Sequence, residues 1–388
     1  MLNHLTKDFF GNRQSRAIAV AFIAVGLLFG TWATFIPFIK EKFALNDADL
    51  GLILLSMPIG SVTMNLVGAW LVAKIGMKTT TILGMIGMSL AFLVPLNSSS
   101  VYMLPIGLYL CGSGISITNI AMNMGVTCIE ADHDVKIMST CHGMFSVGLM
   151  VGSMCASLAR GFEWNPGLYM IGTSALIILF AFLIRPTIFK IQDEVVSDGS
   201  TPQSKFVLPK GTFLVMILIG VCGNISEGTM ADWSSVFMKN VVNSSPYFVG
   251  WGLAGYSLFM ALGRFFGDSL IPKIGANKIL IYGGLLVTVG VSIALLFPTT
   301  WLTIIGFSIV GAGVSCAAPI LYGASARVPG VSKGTGLAVM NTFAMGGFMA
   351  GPVLIGFVSQ ATSLSWAFSI VILLSLTSAY LSSKIKFF

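Results

Sequence analysis

The sequence predicts an all-α membrane protein whose twelve transmembrane helices form two six-helix bundles. Of its 388 residues, 55% are hydrophobic and only 9% are charged, whereas a soluble domain carries roughly 25% charged residues. Apolar stretches of about 20 residues, the length that crosses the hydrocarbon core of a bilayer, recur along the whole chain. Short motifs also repeat between the two halves. Lipid is therefore the main solvent expected for this chain.

The predicted spans follow one another with short connections, except for a polar stretch after the sixth. The spans cover residues 16–39, 48–73, 79–97, 101–127, 137–160, 166–185, 211–238, 246–271, 278–297, 300–322, 333–358 and 364–382. The N-terminal apolar run lacks a convincing signal-peptide cleavage site, so it is interpreted as the first span. The polar stretch predicts three parts: an N-terminal bundle over residues 1–186, a cytoplasmic linker over 187–210 and a C-terminal bundle over 211–388.

The lysines and arginines predict the orientation. An even number of spans puts both termini on one side, and a cytoplasmic assignment places all but four of the 21 Lys and Arg residues there. The exceptions are Lys40, Lys42, Arg160 and Lys239. This agrees with the positive-inside rule and accounts for the net charge of +7. No basic stripe interleaved with aromatic residues is visible, so a nucleic-acid partner is not expected.

An internal duplication relates the two halves by an offset of 199 residues. The matched motifs are Lys74 to Gly76 with Lys273 to Gly275, Gly112 to Ser116 with Gly311 to Ser315, and Gly148 to Gly152 with Gly347 to Gly351. Repeated halves are typical of secondary transporters, in which a central site opens to either side in turn. The last pair of motifs has small residues four apart, which predicts close helix packing, with gating contact between the halves as the alternative.

Glu227 is the acid that most strongly suggests function. It lies in the stretch NISEGTMADWSSVF near the middle of a predicted span, where an ionised carboxylate costs about 2.5 to 3.5 kcal/mol. With the offset shortened by one residue, Glu227 aligns with Phe29, so the fold does not require an acid there. We interpret Glu227 as a proton or substrate site. The alternative is a carboxylate satisfied by hydrogen bonds between packed helices.

Two further residues are candidates for proton coupling. Asp232 lies five residues after Glu227, about 140° around a helix, so the two acids are not expected to share a face. A structural role for Asp232, held by helix-terminal donors or by Lys239, is the alternative. His142 aligns with Asn341, which suggests that both face the seam between the bundles. His142 could relay protons or be a neutral ring bonded to a carbonyl.

Polar and aromatic side chains within the spans are candidates for substrate binding. Asn119 and Asn123 lie one turn apart on one helix face and could bind a hydroxylated solute or join helices. The remaining substrate-binding candidates are Trp32, Trp233, Tyr256, Tyr322 (the repeat equivalent of Asn123) and Asn341. Aromatic rings can stack on a sugar or on a quaternary ammonium group, although they more often serve packing.

Charged residues near the cytoplasmic ends of spans are candidates for a gate or for structure. Arg264 and Asp268, one turn apart, predict an ion pair, and Lys74 follows span two. The loop residues Glu130, Asp132, His133 and Asp134 fit a solvated loop better than a metal site. No Lys or Arg is expected at mid-depth, so strongly anionic substrates would lack a partner. Walker A, nucleophile-elbow and HExxH patterns are absent from the sequence, so neither an enzyme nor a cofactor is expected.

Several segments resemble the major facilitator superfamily, over nearly the whole chain. The stretch AWLVAKIGMK is similar to the superfamily signature after span two: Lys74, Gly76 and Lys78 match, whereas Ala69 and Ala73 stand where the signature has Gly and Asp. The segments AMNMG, STCHGMFSVG and EGTMADWS resemble uncharacterised bacterial inner-membrane permeases of the YbjJ type, and fucose-permease-like symporters are a more distant likeness. The resemblance implies a multi-pass inner-membrane protein with a cavity lined by spans one, four, seven and ten.

These observations together predict a secondary active transporter. The expected activity is proton-coupled symport of a small polar, neutral or weakly cationic solute by alternating access, with the lipid bilayer, protons and the solute as partners of a monomer. Proton-coupled efflux is the alternative transport direction. A membrane receptor or scaffold that binds a ligand without moving it is the alternative from another class.

Overall fold

The computed structural model describes residues 9–192 and 208–385, and its regular elements in these ranges are all helical. Most of the predicted linker, residues 193–207, lies outside the described part of the chain. The helices are α1 (Arg13–Lys42), α2 (Asp47–Leu54), α3 (Ser56–Ile75), α4 (Met77–Asn97), α5 (Met103–His133), α6 (Met138–Gly161), α7 (Pro166–Ile188), α8 (Thr212–Asn240), α9 (Trp251–Ile274), α10 (Ala276–Leu296), α11 (Thr300–Val314), α12 (Ala317–Ser325), α13 (Lys333–Ala361) and α14 (Leu364–Lys384), with one 3-10 turn at Pro246–Phe248.

The helices account for all twelve predicted spans. Within the described ranges, eleven helical segments are long and apolar enough to cross a membrane. In this count α2 with α3 forms span two, and α11 with α12 forms span ten. The remaining span is α9, which has 24 residues and carries both Arg264 and Lys273. The prediction of an all-α membrane protein is thus confirmed.

Two spans that were predicted as continuous are interrupted. Span two breaks at Leu55, and span ten breaks at Ser315 and Cys316. In each case a proline follows within four residues, Pro58 in α3 and Pro319 in α12. Proline has no amide hydrogen to donate to the carbonyl four residues earlier, so it weakens the helix at that point. Each break divides its span into two helical pieces.

The duplication is visible in the backbone. Helices α3 and α9 end at Gly76 and Gly275, whose φ angles of 89° and 92° favour glycine. In both halves the next helix begins directly after this glycine. The close approach of Gly112 to the carbonyl oxygen of Met57 also recurs, 199 residues later, between Gly311 and Tyr256.

The repeated glycine motifs join helices within each half. A Cβ atom at Gly148 or Gly152 in α6 would overlap backbone atoms of α1. In the second half, a Cβ at Gly347 in α13 would lie 2.9 Å from the carbonyl oxygen of Val221 in α8. These contacts bring equivalent helix pairs together, so the packing interpretation holds and the gating alternative does not.

The halves meet closely on the side of the membrane opposite the termini. There Lys239 of α8 forms an ion pair with Glu41 of α1. The hydroxyl of Ser359 in α13 donates to the carboxylate of Asp47 in α2. The hydroxyl of Ser157 in α6 donates to the carbonyl oxygen of Tyr247 over 2.9 Å. These contacts close the seam between the halves on that side.

The four cations predicted on this side all have specific contacts. Lys239 pairs with Glu41, and Lys40 pairs with Asp47. Lys42 donates to the carbonyl oxygen of Ser98 over 2.6 Å, and the guanidinium of Arg160 lies 5.7 Å from the centre of the Phe38 ring. The pair of Lys239 joins the two halves, whereas the contacts of Lys40, Lys42 and Arg160 lie within the N-terminal half.

Candidate transport cavity

A cavity of about 280 Å³ lies between the two halves. Both halves contribute to its wall, which is largely apolar and contains a few polar side chains. The lining residues are Val25, Phe29, Trp32, Leu54, Met57, Pro58, Ser61, Asn65, Ile115, Ser116, Asn119, Phe145, Leu149, Asn224, Glu227, Ala231, Asp232, Tyr256, Met260, Met345 and Phe348. An apolar cleft with a few converging polar groups is typical of a small-molecule site.

Glu227 faces this cavity from α8. Its side chain is 31% exposed, and its Oε1 atom lies 3.8 Å from Nη2 of Arg264. The other terminal nitrogen of Arg264 donates to the hydroxyl of Ser146 over 3.1 Å. Arg264 thus links Glu227 in one half to α6 in the other half.

The position of Arg264 corrects the expectation that no cation reaches mid-depth. The backbone of Arg264 lies in the second half of α9, toward the membrane side that carries the chain termini. Its long side chain extends toward Glu227. An arginine side chain can carry its charge several ångströms from the backbone. The predicted partner Asp268 is in the same helix, but its side chain lies outside what the structure describes.

The repeat alignment of Glu227 with Phe29 is supported by helix contacts. A Cβ atom at Gly228 would lie 3.0 Å from the carbonyl oxygen of Phe348. Gly30 approaches the carbonyl oxygen of Leu149 in the same way. Leu149 and Phe348 are equivalent at the offset of 199. The glycines that contact them, Gly30 and Gly228, are 198 residues apart, so the first helices of the two halves match at an offset of 198. Phe29 and Glu227 both line the cavity, so the acid occupies a place where the fold accepts a phenyl ring.

Asp232 lines the same cavity and is almost completely buried. The residue is 6% exposed, and among the described residues it has no hydrogen bond or ion pair. Lys239, suggested as its partner, is engaged with Glu41 instead. Asp232 and Glu227 were predicted to lie on different faces of the helix. Both nevertheless border the cavity, because the cavity extends along and around α8.

Three polar groups in the cavity wall have no protein partner within the described ranges. The indole nitrogen of Trp32 and the hydroxyl of Tyr256 are buried without a hydrogen bond. Asn119, on α5, lines the cavity and also makes no hydrogen bond to a described residue. Buried polar groups are normally satisfied, so unpaired donors in a cavity wall indicate a place where a ligand or water binds.

Three other candidates lie away from the described cavity wall. The Oδ1 atom of Asn123 and the indole nitrogen of Trp233 are buried and unpaired. His142 packs edge-on against Phe22, with ring centres 5.2 Å apart, and makes no hydrogen bond to a described residue. The carbonyl-bonded alternative for His142 is thus not seen in this structure.

Three further candidates lie toward the membrane side that carries the chain termini. The hydroxyl of Tyr322 donates to Oδ1 of Asn341 over 3.0 Å, which joins α12 to α13. Tyr322 also borders a small cavity of about 20 Å³ that reaches Glu227 from the other side. The ammonium group of Lys74 lies 5.1 Å from the centre of the Trp70 ring at the end of α3.

Sequence reasoning missed several residues of the cavity wall. Asn224 lies one turn before Glu227, and Asn65 accepts a hydrogen bond of 2.6 Å from Ser116. Asn65 is the repeat equivalent of Arg264, at the offset of 199, and this symmetry would have identified it. Asn65 is exposed.

The helices that form the cavity also differ from expectation. Spans one, four and seven contribute as the resemblance implied, but spans two, five, eight and eleven contribute as well. Span ten borders the smaller cavity beside Glu227 rather than the larger one.

One of the acids predicted in the loop after span four has a structural role, but it lies in the last turn of α5 and not in a loop. Oε1 of Glu130 accepts hydrogen bonds from the backbone amides of Ile137, over 2.6 Å, and Met138, over 2.8 Å. These amides lie at the start of α6, where the first turn has no helical partners. Glu130 therefore caps α6.

An all-α membrane fold with an internal duplication, and with a central cavity between its halves that contains a few polar groups, is typical of secondary transporters. The chain belongs to the Major Facilitator Superfamily, whose family model matches residues 18–242 and 212–385. It is 34% identical to an uncharacterised MFS-type transporter of Yersinia pestis, over 95% of each chain. It is 26% identical to an uncharacterised transporter of Sinorhizobium fredii, over 96% of this chain and 98% of that one.

Solved structures of the same fold include two transporters. The nucleoside transporter NupG matches with a TM-score of 0.74 and 12% identity, over 96% of this chain and 98% of that one. The fucose:proton symporter FucP of E. coli, solved as a single-residue variant, matches with a TM-score of 0.61 and 16% identity, over 95% of this chain and 97% of that one. At these identities the likeness concerns the fold.

Proposed function

We propose that the protein is a proton-coupled secondary transporter that moves a small polar, neutral or weakly cationic solute across the bacterial inner membrane by alternating access. The observation that carries the proposal is Glu227, an acid that faces the cavity between the halves, at a position where the repeat has a phenyl ring. An acid within a membrane span that the fold does not require is best explained by a functional role.

Proton binding at Glu227 would change its interaction with Arg264. While Glu227 is ionised, it attracts the guanidinium group 3.8 Å away, and such a pair is worth about 4 kcal/mol at an effective dielectric constant of about 20. Solvent at the partly exposed carboxylate lowers this value. A shift between two states from 1:99 to 99:1 requires about 5.5 kcal/mol. The protonation of one acid, together with a bound solute, can therefore bias the states substantially.

Arg264 provides the route by which this change would reach both halves. The guanidinium group contacts Ser146 of α6, and the backbone carbonyl of Arg264 accepts a hydrogen bond of 3.2 Å from the hydroxyl of Ser139 in α6. Release of Arg264 from a protonated Glu227 would leave the guanidinium free to change its contacts with α6. The two halves meet at α6 and α9, so rocking about this contact would follow.

Orientation and coupling support import as the direction of transport. With the termini assigned to the cytoplasm, the contacts that close the seam between the halves lie on the periplasmic side. An inward proton gradient would then drive import with protons. Efflux by proton exchange would use the same acid and reverse the solute flow.

A two-stage experiment tests the proposal. A metabolite library is first screened by thermal stabilisation of the purified protein, and the hit is then supplied to proteoliposomes with and without an inward pH gradient. The gradient should accelerate uptake by the wild-type protein and by Glu163→Gln, a matched substitution at an exposed residue. It should have no such effect on Glu227→Gln.

Each other outcome identifies a different function. Gradient-driven release of preloaded solute would establish efflux in place of import. Specific binding with no movement of solute in sealed vesicles would identify a receptor or scaffold. An equal response to the gradient in Glu227→Gln and in the wild-type protein would remove Glu227 from the mechanism.

A further inference from the structure

The cavity holds two acids but has one neighbouring cation among the described residues. Glu227 lies 3.8 Å from Arg264, whereas Asp232 is 6% exposed and has no hydrogen bond or ion pair with a described residue. We propose that the transported solute is a small organic amine whose ammonium group forms an ion pair with Asp232. This inference rests on the proposed function and names the substrate class of the same site.

An ionised Asp232 has no cationic partner among the described residues. An ionised carboxylate that is removed from water is strongly disfavoured unless it is paired. The three lysines on the closed side are already engaged: Lys239 with Glu41, Lys40 with Asp47, and Lys42 with the carbonyl oxygen of Ser98. Arg264 extends toward Glu227 and Ser146. A cationic solute in the cavity would provide the missing charge.

The cavity wall suits an ammonium group in a second way. The rings of Trp32 and Tyr256 border the same cavity as Asp232, and aromatic faces attract cations, most strongly when the cation is desolvated. The combination of a buried acid with aromatic rings is a recognised way of binding amines. An additional negative charge on the solute would be repelled by Asp232.

Unpaired donors define a second feature of the solute. The indole nitrogen of Trp32 and the hydroxyl of Tyr256 have no partner, and Asn119 can both donate and accept hydrogen bonds. The solute should therefore carry a hydroxyl or another acceptor oxygen near its amine. A cavity of about 280 Å³ limits it to a small molecule.

Matched pairs of compounds test this inference by binding alone. The probes are 2-aminoethanol with ethylene glycol, serinol with glycerol, and glucosamine with glucose, measured by thermal stabilisation and calorimetry on the purified full-length protein. At least one amine should bind, and its hydroxyl counterpart should bind at least tenfold more weakly. N-acetylation, which removes the charge, should abolish binding of the same amine to the wild-type protein.

Variants of Asp232 locate the site. Asp232→Asn should weaken binding of the amine at least tenfold, and Asp232→Glu should restore part of it. The inference is overturned if no amine of the panel binds, if a hydroxyl counterpart binds equally well, or if the acetylated amine still binds. Because the comparison of compounds uses wild-type protein, it decides the question even if Asp232→Asn does not fold.

Binding and flux separate this inference from the proposed function. An amine that binds through Asp232 but does not respond to a proton gradient in proteoliposomes would contradict proton coupling and leave amine recognition intact. Gradient-driven transport of a neutral solute would support proton coupling and contradict amine recognition.

Discussion

Replacement of Gly148 by alanine should destabilise the contact between α6 and α1. A Cβ atom there would overlap the carbonyl oxygen of Ile23, whereas carbon and oxygen normally approach to about 3.3 Å. The two helices would have to separate by about 1 Å. Since α1 carries Phe29 and Trp32 of the cavity wall, transport should fall along with stability.

The magnitude follows from two opposing effects. Overpacking in a tight contact costs about 1 to 3 kcal/mol, whereas alanine gains roughly 0.5 to 1 kcal/mol over glycine within a helix. Gly148→Ala should therefore lose about 1 to 2 kcal/mol. Gly347→Ala, at 2.9 Å from the carbonyl oxygen of Val221, should lose less. Gly172→Ala, with no atom within 4 Å, should be neutral or slightly stabilising.

Thermal unfolding of the three purified variants in one detergent provides the measurement. The midpoints should rank with Gly172→Ala highest, Gly347→Ala next and Gly148→Ala lowest. The packing argument is refuted if Gly148→Ala is as stable as Gly172→Ala.

Two further predictions concern the closed side and the cap of α6. Lys239→Met should make cysteines placed in the seam more reactive from the membrane side opposite the termini, by up to about fivefold, since an exposed ion pair is worth up to about 1 kcal/mol. The double variant that exchanges the charges of Lys239 and Glu41 should restore the low reactivity. Unchanged reactivity in Lys239→Met would contradict the role of this ion pair. Glu130→Ala should lower the stability of the protein by about 0.5 to 2 kcal/mol because two helix-end amides lose their acceptor. Thermal unfolding measures this loss, with Asp132→Asn as the control variant. An equal loss of stability in the two variants would contradict the capping role of Glu130.

The sequence predicted the fold well because its signals are strong and local. Twelve apolar runs and the repeated Gly76 and Gly275 correspond to helices and turns in the structure. The interruptions of spans two and ten were not predicted, since the apolar pattern continues through them. Pro58 and Pro319 were the available signal. Pro37 lies inside α1 without such a break, so proline alone does not decide.

The site was predicted less completely because side-chain direction depends on tertiary packing. The depth of Glu227 followed from its place in the span, and the repeat identified Phe29 as its equivalent. The reach of Arg264 toward Glu227 could not be inferred from the position of its backbone. Asp232 was expected on another face of the helix, but the shape of the cavity around α8 brings it to the same space.

The most direct test of the central claim separates driven accumulation from exchange in Glu227→Gln. The substitution keeps the size of the side chain but cannot bind and release the proton. The account predicts that this variant loses uptake against a solute gradient when a pH gradient is applied, while it still exchanges labelled for unlabelled solute across the membrane. Accumulation equal to that of the wild-type protein would contradict it.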